Sequence, residues 1–107
     1  MASLYLDDER NPKTKRDWVI VRSYEDAKDY FENNACPEYI SFDHDLGTEE
    51  TGYDVVKMLV EKDLNEKMLY IPKNFEYNVH SANPVGRENI SMYILTYLSM
   101  RDREREK

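Results

Sequence analysis

Short apolar runs alternate with amphipathic stretches along the chain, and each apolar run stops abruptly. Leu4-Tyr5-Leu6 reads as a buried strand that reaches its sheet edge at Asp7-Asp8-Glu9. Asn11-Pro12 marks a turn. Residues 18–21, Trp-Val-Ile-Val, form a second β-rich run. Ser23, with Asp26 three residues later, signals the start of a helix through about residue 33, with Ala27, Tyr30 and Phe31 on its inner face. After Pro37, Tyr39-Ile40-Ser41-Phe42 is a third strand that again ends in acid, Asp43-His44-Asp45. A loop leads from Leu46 to a helix over about residues 52–63, where Val56, Leu59 and Val60 make a buried stripe. Residues 64–75 carry no clear period, and Pro72 argues for a loop there. Residues 75–79 form the fourth strand, ending in His80-Ser81-Ala82-Asn83. Pro84 then opens the last helix, with Ile90, Tyr93, Ile94, Tyr97 and Leu98 as its apolar face.

The order is β-β-α-β-α-β-α, with too few residues between the first two strands for a full helix. Strands separated by helices imply a parallel α/β sheet with right-handed crossovers. Ligands of such sheets bind beyond the carboxyl ends of the strands. Strands one, three and four end there in Asp-Asp-Glu, Asp-His-Asp and His-Ser-Ala-Asn, the strongest single observation in the sequence.

The bulk numbers narrow the picture. A chain of 107 residues, 40% hydrophobic and 35% charged, has the composition of one folded domain. Nine of its aromatics are Tyr, so the core should carry hydroxyls at its edge. No apolar run approaches the roughly 20 residues of a membrane span, and the first residues lack a signal-peptide pattern, so the cytoplasm is the expected compartment. The lone cysteine, Cys36, is expected to be a buried structural thiol. A net charge of −7 excludes the bulk electrostatics that bind duplex DNA. Local charge differs, because Arg10, Lys13, Lys15, Arg16 and Arg22 crowd the first third. Residues 101–107 alternate basic and acidic types and are expected to solvate the last helix.

Clustered carboxylates repel one another unless a cation neutralises them. A hard, oxygen-seeking divalent ion, Mg²⁺ or Mn²⁺, is the simplest solution, with Asp8 and Asp43 as first-choice ligands, Asp7 directly or through water, and Asp45 assisting. A solvated rim of strand-end acids is the plainer alternative. Zinc ranks second, because no spaced Cys or His pair accompanies the acids. The only two histidines, His44 and His80, both follow strand ends, where they are candidates for base and acid at phosphorus. Ser81, Asn83, Gly86 and Arg87 resemble a phosphate cradle at a helix start, with Arg10 as a further phosphate-facing candidate. An ordinary capped helix with a surface Arg is an equally common reading.

Three segments resemble a response-regulator receiver domain: Leu4 to Glu9 with its acidic pair, Pro37 to Asp43 with the phospho-accepting position, and Val79-His80-Ser81-Ala82. The departures are a missing fifth strand with its lysine, a shortened connection after strand one, and histidines at positions 44 and 80. Together with the runs Asp43-His44-Asp45-Leu46-Gly47 and His80 to Arg87, they make the chain similar to the cyclic-phosphate processing receiver domains of phages and bacteria. The resemblance implies a truncated receiver-like, flavodoxin-like three-layer fold with a four-stranded parallel sheet in the order 2-1-3-4. It also implies a metal-assisted phosphoesterase acting on a cyclic phosphate, in a small molecule or at the 2′,3′-cyclic end of an RNA. In that reading His44 serves as base and His80 as acid, beside Asp43. Two alternatives stay open: a signalling module phosphorylated on Asp43, and a protein that binds a cyclic nucleotide without turning it over. The oligomeric state stays open too.

Overall fold

Leu4 and Leu6 alternate with Ser3 and Tyr5, and that period of two decides which side of the sheet each residue joins. In the computed structural model, which describes residues 2–105, β1 (Ser3–Leu6) pairs in parallel with β2 (Trp18–Val21) and β3 (Tyr39–Phe42), and β3 pairs with β4 (Glu76–Val79). The strand order is β2-β1-β3-β4, as expected. Helices α1 (Tyr24–Asn33), α2 (Gly52–Asn65) and α3 (Pro84–Arg105) complete the fold. Leu4 and Leu6, with Val21, Ile40 and Phe42 from the neighbouring strands, form one buried cluster with Ala27 and Phe31 of α1, Val55, Val56 and Leu59 of α2, and Ile90 and Ile94 of α3. All three helices therefore cover the same face. Burying each of the larger side chains, Ala27 aside, stabilises the fold by about 1.5–3 kcal/mol. The connection over residues 7–17 contains no helix and forms the reduced third layer on the opposite face.

Local signals act as read. The Ser23 hydroxyl accepts the Asp26 N–H at 3.1 Å, although the Asp26 carboxylate reaches back to the Arg22 N–H rather than to Ser23. At α2, Asp54 accepts the Thr51 N–H at 2.8 Å, and this bond, outweighing partial burial, holds the Asp54 pKa below its ordinary value. The helix runs two residues past the expected end, and Lys67 and Met68, both at positive φ, turn the chain away. Asn83 caps α3 by accepting the Gly86 N–H at 3.0 Å. Gly86 and Gly52 are required by close approach: a Cβ at Gly86 would strike the His44 ring, and one at Gly52 would strike the Asp43 carbonyl. No helix among the described residues is long and apolar enough to cross a membrane.

One expectation is overturned at the C-terminal end. Arg101 heads the charged run that should only solvate α3, yet it is fully buried. It donates to Asp63 at 3.3 Å and to the carbonyl of Ile71 at 2.8 Å. Asp63, itself fully buried, also accepts the Ile71 N–H at 2.8 Å and the Tyr97 hydroxyl at 2.6 Å. A charge run cannot reveal this, because the partner lies 38 residues away. Asp102 to Glu104 are exposed as expected, while residues 106 and 107 lie outside the described residues. The tyrosines do carry hydroxyls at the core edge: Tyr70, like Tyr97, bonds inward, to the carbonyls of Phe31 and Asn34 at 3.2 and 2.8 Å. Cys36 is half-buried rather than fully buried, and burial pushes its thiol up to about 12, so it stays protonated at neutral pH.

Asp63→Ala leaves Arg101 buried without the carboxylate it pairs with, and strips the Ile71 N–H of its acceptor. Removing one partner of a buried ion pair costs about 3–5 kcal/mol, and urea unfolding should show a loss of that size.

Candidate functional site

The three strand ends on the helix-free face meet in one row. The ladder continues one residue past the strands, with the Asp7 N–H on the Val21 carbonyl, the Asp43 N–H on that of Leu6 and the His80 N–H on that of Phe42. Asp7, Asp43 and His80 are thereby held side by side, and one candidate ligand atom from each lies within 4.8 Å of the other two. Asp7 is fully buried and Asp43 nearly so. The Arg10 guanidinium bridges them, with Nε 2.9 Å from Asp7 Oδ2 and Nη2 3.5 Å from Asp43 Oδ1. Arg22 holds the loop that carries Arg10, donating to the carbonyls of Asp7 at 3.2 Å and Arg10 at 2.7 Å and to the Asn11 side chain at 2.6 Å.

The two carboxylates are driven apart in acidity. Burial pushes Asp7 up, but the N–H groups of Arg10 and Glu9 at 2.8 and 3.0 Å, with His80 and the Arg10 charge, outweigh it and hold Asp7 below its ordinary value. Burial pushes Asp43 up, the neighbouring Asp7 charge adds to this, and Arg10, His80 and the His44 N–H only partly offset it. Among the described residues, Asp7, Asp43 and His80 form the one group whose atoms lie close enough to hold a metal ion. Two carboxylates and an imidazole are donor types that Mn²⁺ accepts, and the carboxylates are the type that Mg²⁺ takes.

His80 is fixed from three sides. Its ring stacks on Tyr5 with centroids 4.4 Å apart and planes 6° from parallel. Nε2 lies 3.1 Å from Asp7 Oδ2, and Nδ1 lies 2.7 Å from the Ser41 hydroxyl. An ionised Asp7 only accepts, so Nε2 carries a proton, and in the neutral ring Nδ1 accepts from Ser41. Asn78 in turn donates to the Ser41 oxygen at 3.4 Å.

The other candidates lie elsewhere. Asp8 is exposed and faces Gly47, where a Cβ would sit 3.1 Å from its Oδ2. The His44 ring packs on Gly86 at the start of α3, with Nδ1 2.9 Å from the exposed Asp45. The Ser81 hydroxyl accepts the Asn83 N–H at 3.1 Å, and Asn83 caps α3, so both serve the helix start. Arg87 is exposed and lines a separate hollow of about 460 Å³ beside β4, with Nη1 3.5 Å from the Ser81 carbonyl. Thus Asp7, Asp43, His80 and Arg10 converge, and Asp8, His44, Asp45, Ser81, Asn83 and Arg87 stand around them. Tyr5, Ser41, Asn78 and Arg22 were not singled out from the sequence. Period-two alternation back from Asp7, Asp43 and His80 points to Tyr5, Ser41 and Asn78, whereas nothing local points to Arg22.

A parallel 2-1-3-4 sheet with acids at the carboxyl ends of its first and third strands defines a receiver-type α/β domain. The chain belongs to the cyclic-phosphate processing receiver domain family, whose model matches residues 2–96. No curated protein and no solved structure matches the chain.

The opposed shifts set opposite pH responses. Asp7, lowered in the fold, contributes stability that is present above its unfolded pKa and lost as pH falls through its folded value. Asp43, raised in the fold, costs stability once ionised. Asp43→Asn should therefore raise the melting temperature at pH 7, with the gain fading as pH falls through the raised Asp43 value towards that of the unfolded chain. Asp7→Asn should lower the melting temperature at pH 7. Thermal melts between pH 3 and 7 check both signs.

Proposed function

We propose that this domain is a metal-assisted phosphoesterase that opens a cyclic phosphate. The observation that carries this reading is the convergence of Asp7, Asp43 and His80 within 4.8 Å, beside the Arg10 guanidinium. Asp7 and Asp43 would hold the divalent ion, Mn²⁺ or Mg²⁺, with Asp8 beside them. When bound, such an ion polarises a phosphoryl oxygen and offsets charge in the transition state.

The chain's own groups account for the rest. Arg10, beside both carboxylates, would offer its guanidinium fork to the non-bridging oxygens. Water adds to phosphorus, one of the two ring P–O bonds breaks, and the departing ribose oxygen takes up a proton, leaving a phosphate monoester. His80, oriented by Asp7 and Ser41, would donate that proton from Nε2 in its imidazolium form, with Nδ1–H turned to the Ser41 oxygen, and be left neutral. His44, braced by Asp45, is the candidate to accept the proton of the attacking water. Ser81, Asn83 and Arg87 keep the start of α3 in place, with Arg87 available to the outer side of the substrate. The substrate is a cyclic phosphate of a small molecule or an RNA end.

Phosphorus NMR of 2′,3′-cyclic nucleotides incubated with the protein tests this. Turnover should appear with Mn²⁺ or Mg²⁺ and stop with EDTA. His80→Ala should cut turnover on the order of 10²–10⁴-fold, the usual worth of a positioned proton-transfer group, and Asp43→Asn should abolish metal-dependent activity. Absence of product with either metal would refute hydrolysis, and an acyl phosphate on Asp43 after treatment with a phosphodonor would favour a signalling role instead.

A further inference from the structure

The helix-free face of the sheet carries more than the carboxylate row. Stepping back two residues along each strand from Asp7, Asp43 and His80 reaches Tyr5, Ser41 and Asn78, and two more reach Ser3 and Tyr39, with Trp18 beside Ser3 on β2. The connection over residues 7–17 closes over this face to leave a groove of about 590 Å³, within the range of small-ligand sites. Arg10, Lys13, Arg16, Trp18 and Tyr39 line it, and His80 stands at one end.

Rings run along its floor. From His80, stacked on Tyr5, the path continues to Trp18, edge-on to Tyr5 at 5.5 Å, and on to Tyr39, 5.9 Å from Trp18. Trp18 is thus no more than about 10 Å from His80, the span of one nucleotide from phosphate to the far side of its base. The exposed Arg16 lays its guanidinium over the Tyr39 ring at 4.4 Å and near Trp18 at 5.7 Å. The Trp18 indole N–H is tied to the Thr14 carbonyl at 3.0 Å, which holds ring and loop together. Apolar packing alone does not call for this arrangement, because the core lies on the other face and Trp18 and Tyr39 remain partly open. Cations crowd this groove in a chain whose net charge is −7. Half-open rings, a planar guanidinium and clustered cations together select a planar heterocycle that carries an anion.

We infer that this groove is a nucleobase-binding subsite, with Trp18, Tyr39 and the Arg16 guanidinium as its stacking surfaces and Arg10 and Lys13 drawing the attached phosphate to His80. The inference rests on the phosphoesterase reading only for where the phosphate sits. The base stacks on the Arg16 plane, which Tyr39 backs, beside the Trp18 ring, and Asn78, exposed in the middle row, faces the ribose. A sugar phosphate without a base would leave these surfaces unused.

Trp18 is the chain's single tryptophan, so its fluorescence reports directly on the groove. The full chain is titrated with adenosine 3′-monophosphate, which has no ring to open, and in parallel with ribose 5-phosphate and with inorganic phosphate. Saturable quenching by the nucleotide, and none by the two base-free phosphates, is the expected result. Tyr39→Ala and Arg16→Ala should each weaken the nucleotide about ten-fold, the scale of a lost base stack. Arg16 is a surface residue, so that variant serves if Tyr39→Ala does not fold. Equal quenching by nucleotide and ribose phosphate, or unchanged affinity in Arg16→Ala, would overturn the subsite. A 3′-phosphorylated trinucleotide that competes as well as the mononucleotide identifies the ligand as an RNA end, and one that competes poorly identifies a free nucleotide; either outcome supports the subsite. Base-dependent quenching without hydrolysis upholds the subsite and rejects the phosphoesterase. Hydrolysis of a base-free cyclic phosphate at the nucleotide's rate, without quenching, does the reverse.

Discussion

Two carboxylates buried next to each other repel unless something positive stands between them, and the low dielectric of a protein edge sharpens the conflict. Asp7 and Asp43 are in this position because the parallel ladder of β1 and β3 continues one residue past both strands. The protein resolves the conflict unequally. Asp7 receives two backbone N–H groups, the His80 imidazole and the closer end of the Arg10 guanidinium, while Asp43 receives the longer end and one N–H. The result is one firmly ionised acid and one that holds its proton more tightly. Arg10 reaches both acids from a loop whose carbonyls Arg22 holds in place.

The placement of the helices follows from the same short first connection. Residues 7–17 hold no helix, so the helices that follow β2, β3 and β4 gather on one face and make one core. The opposite face is released from packing. Its side chains, Tyr5, Trp18, Tyr39, Ser41 and Asn78, are free to be aromatic and polar at once, and they sit directly behind the acidic row.

Most of the fold was legible in the sequence because its signals are local. Apolar runs of four residues, Ser23 and Pro84 at helix starts, and Pro72 in a loop all mark elements without reference to distant partners. The strand-end position of Asp7, Asp43 and His80 was legible for the same reason. Adjacent residues such as Asp7 and Asp8, Asp43 and His44, or His80 and Ser81 look interchangeable in a one-dimensional reading. In the fold one member of each pair joins the carboxylate row, while the other turns to a loop or to the start of α3. Arg22 and Arg101 were illegible because their bonds span 15 and 38 residues, and a charged residue within a charged run resembles ordinary surface.

The Asp63 carboxylate ties together the end of α2, the chain before β4 and the last turns of α3. None of these three pieces can open alone without stranding a buried charge or an orphaned amide. They therefore form a single cooperative unit, whose amides should exchange with solvent together and late. The loop that follows Asp7, by contrast, is held by separate side-chain bonds of Arg10, Arg22 and the Trp18 indole, with little of its own length buried. The molecule thus pairs a scaffold that must open as a whole with a loop over the groove that is held piece by piece.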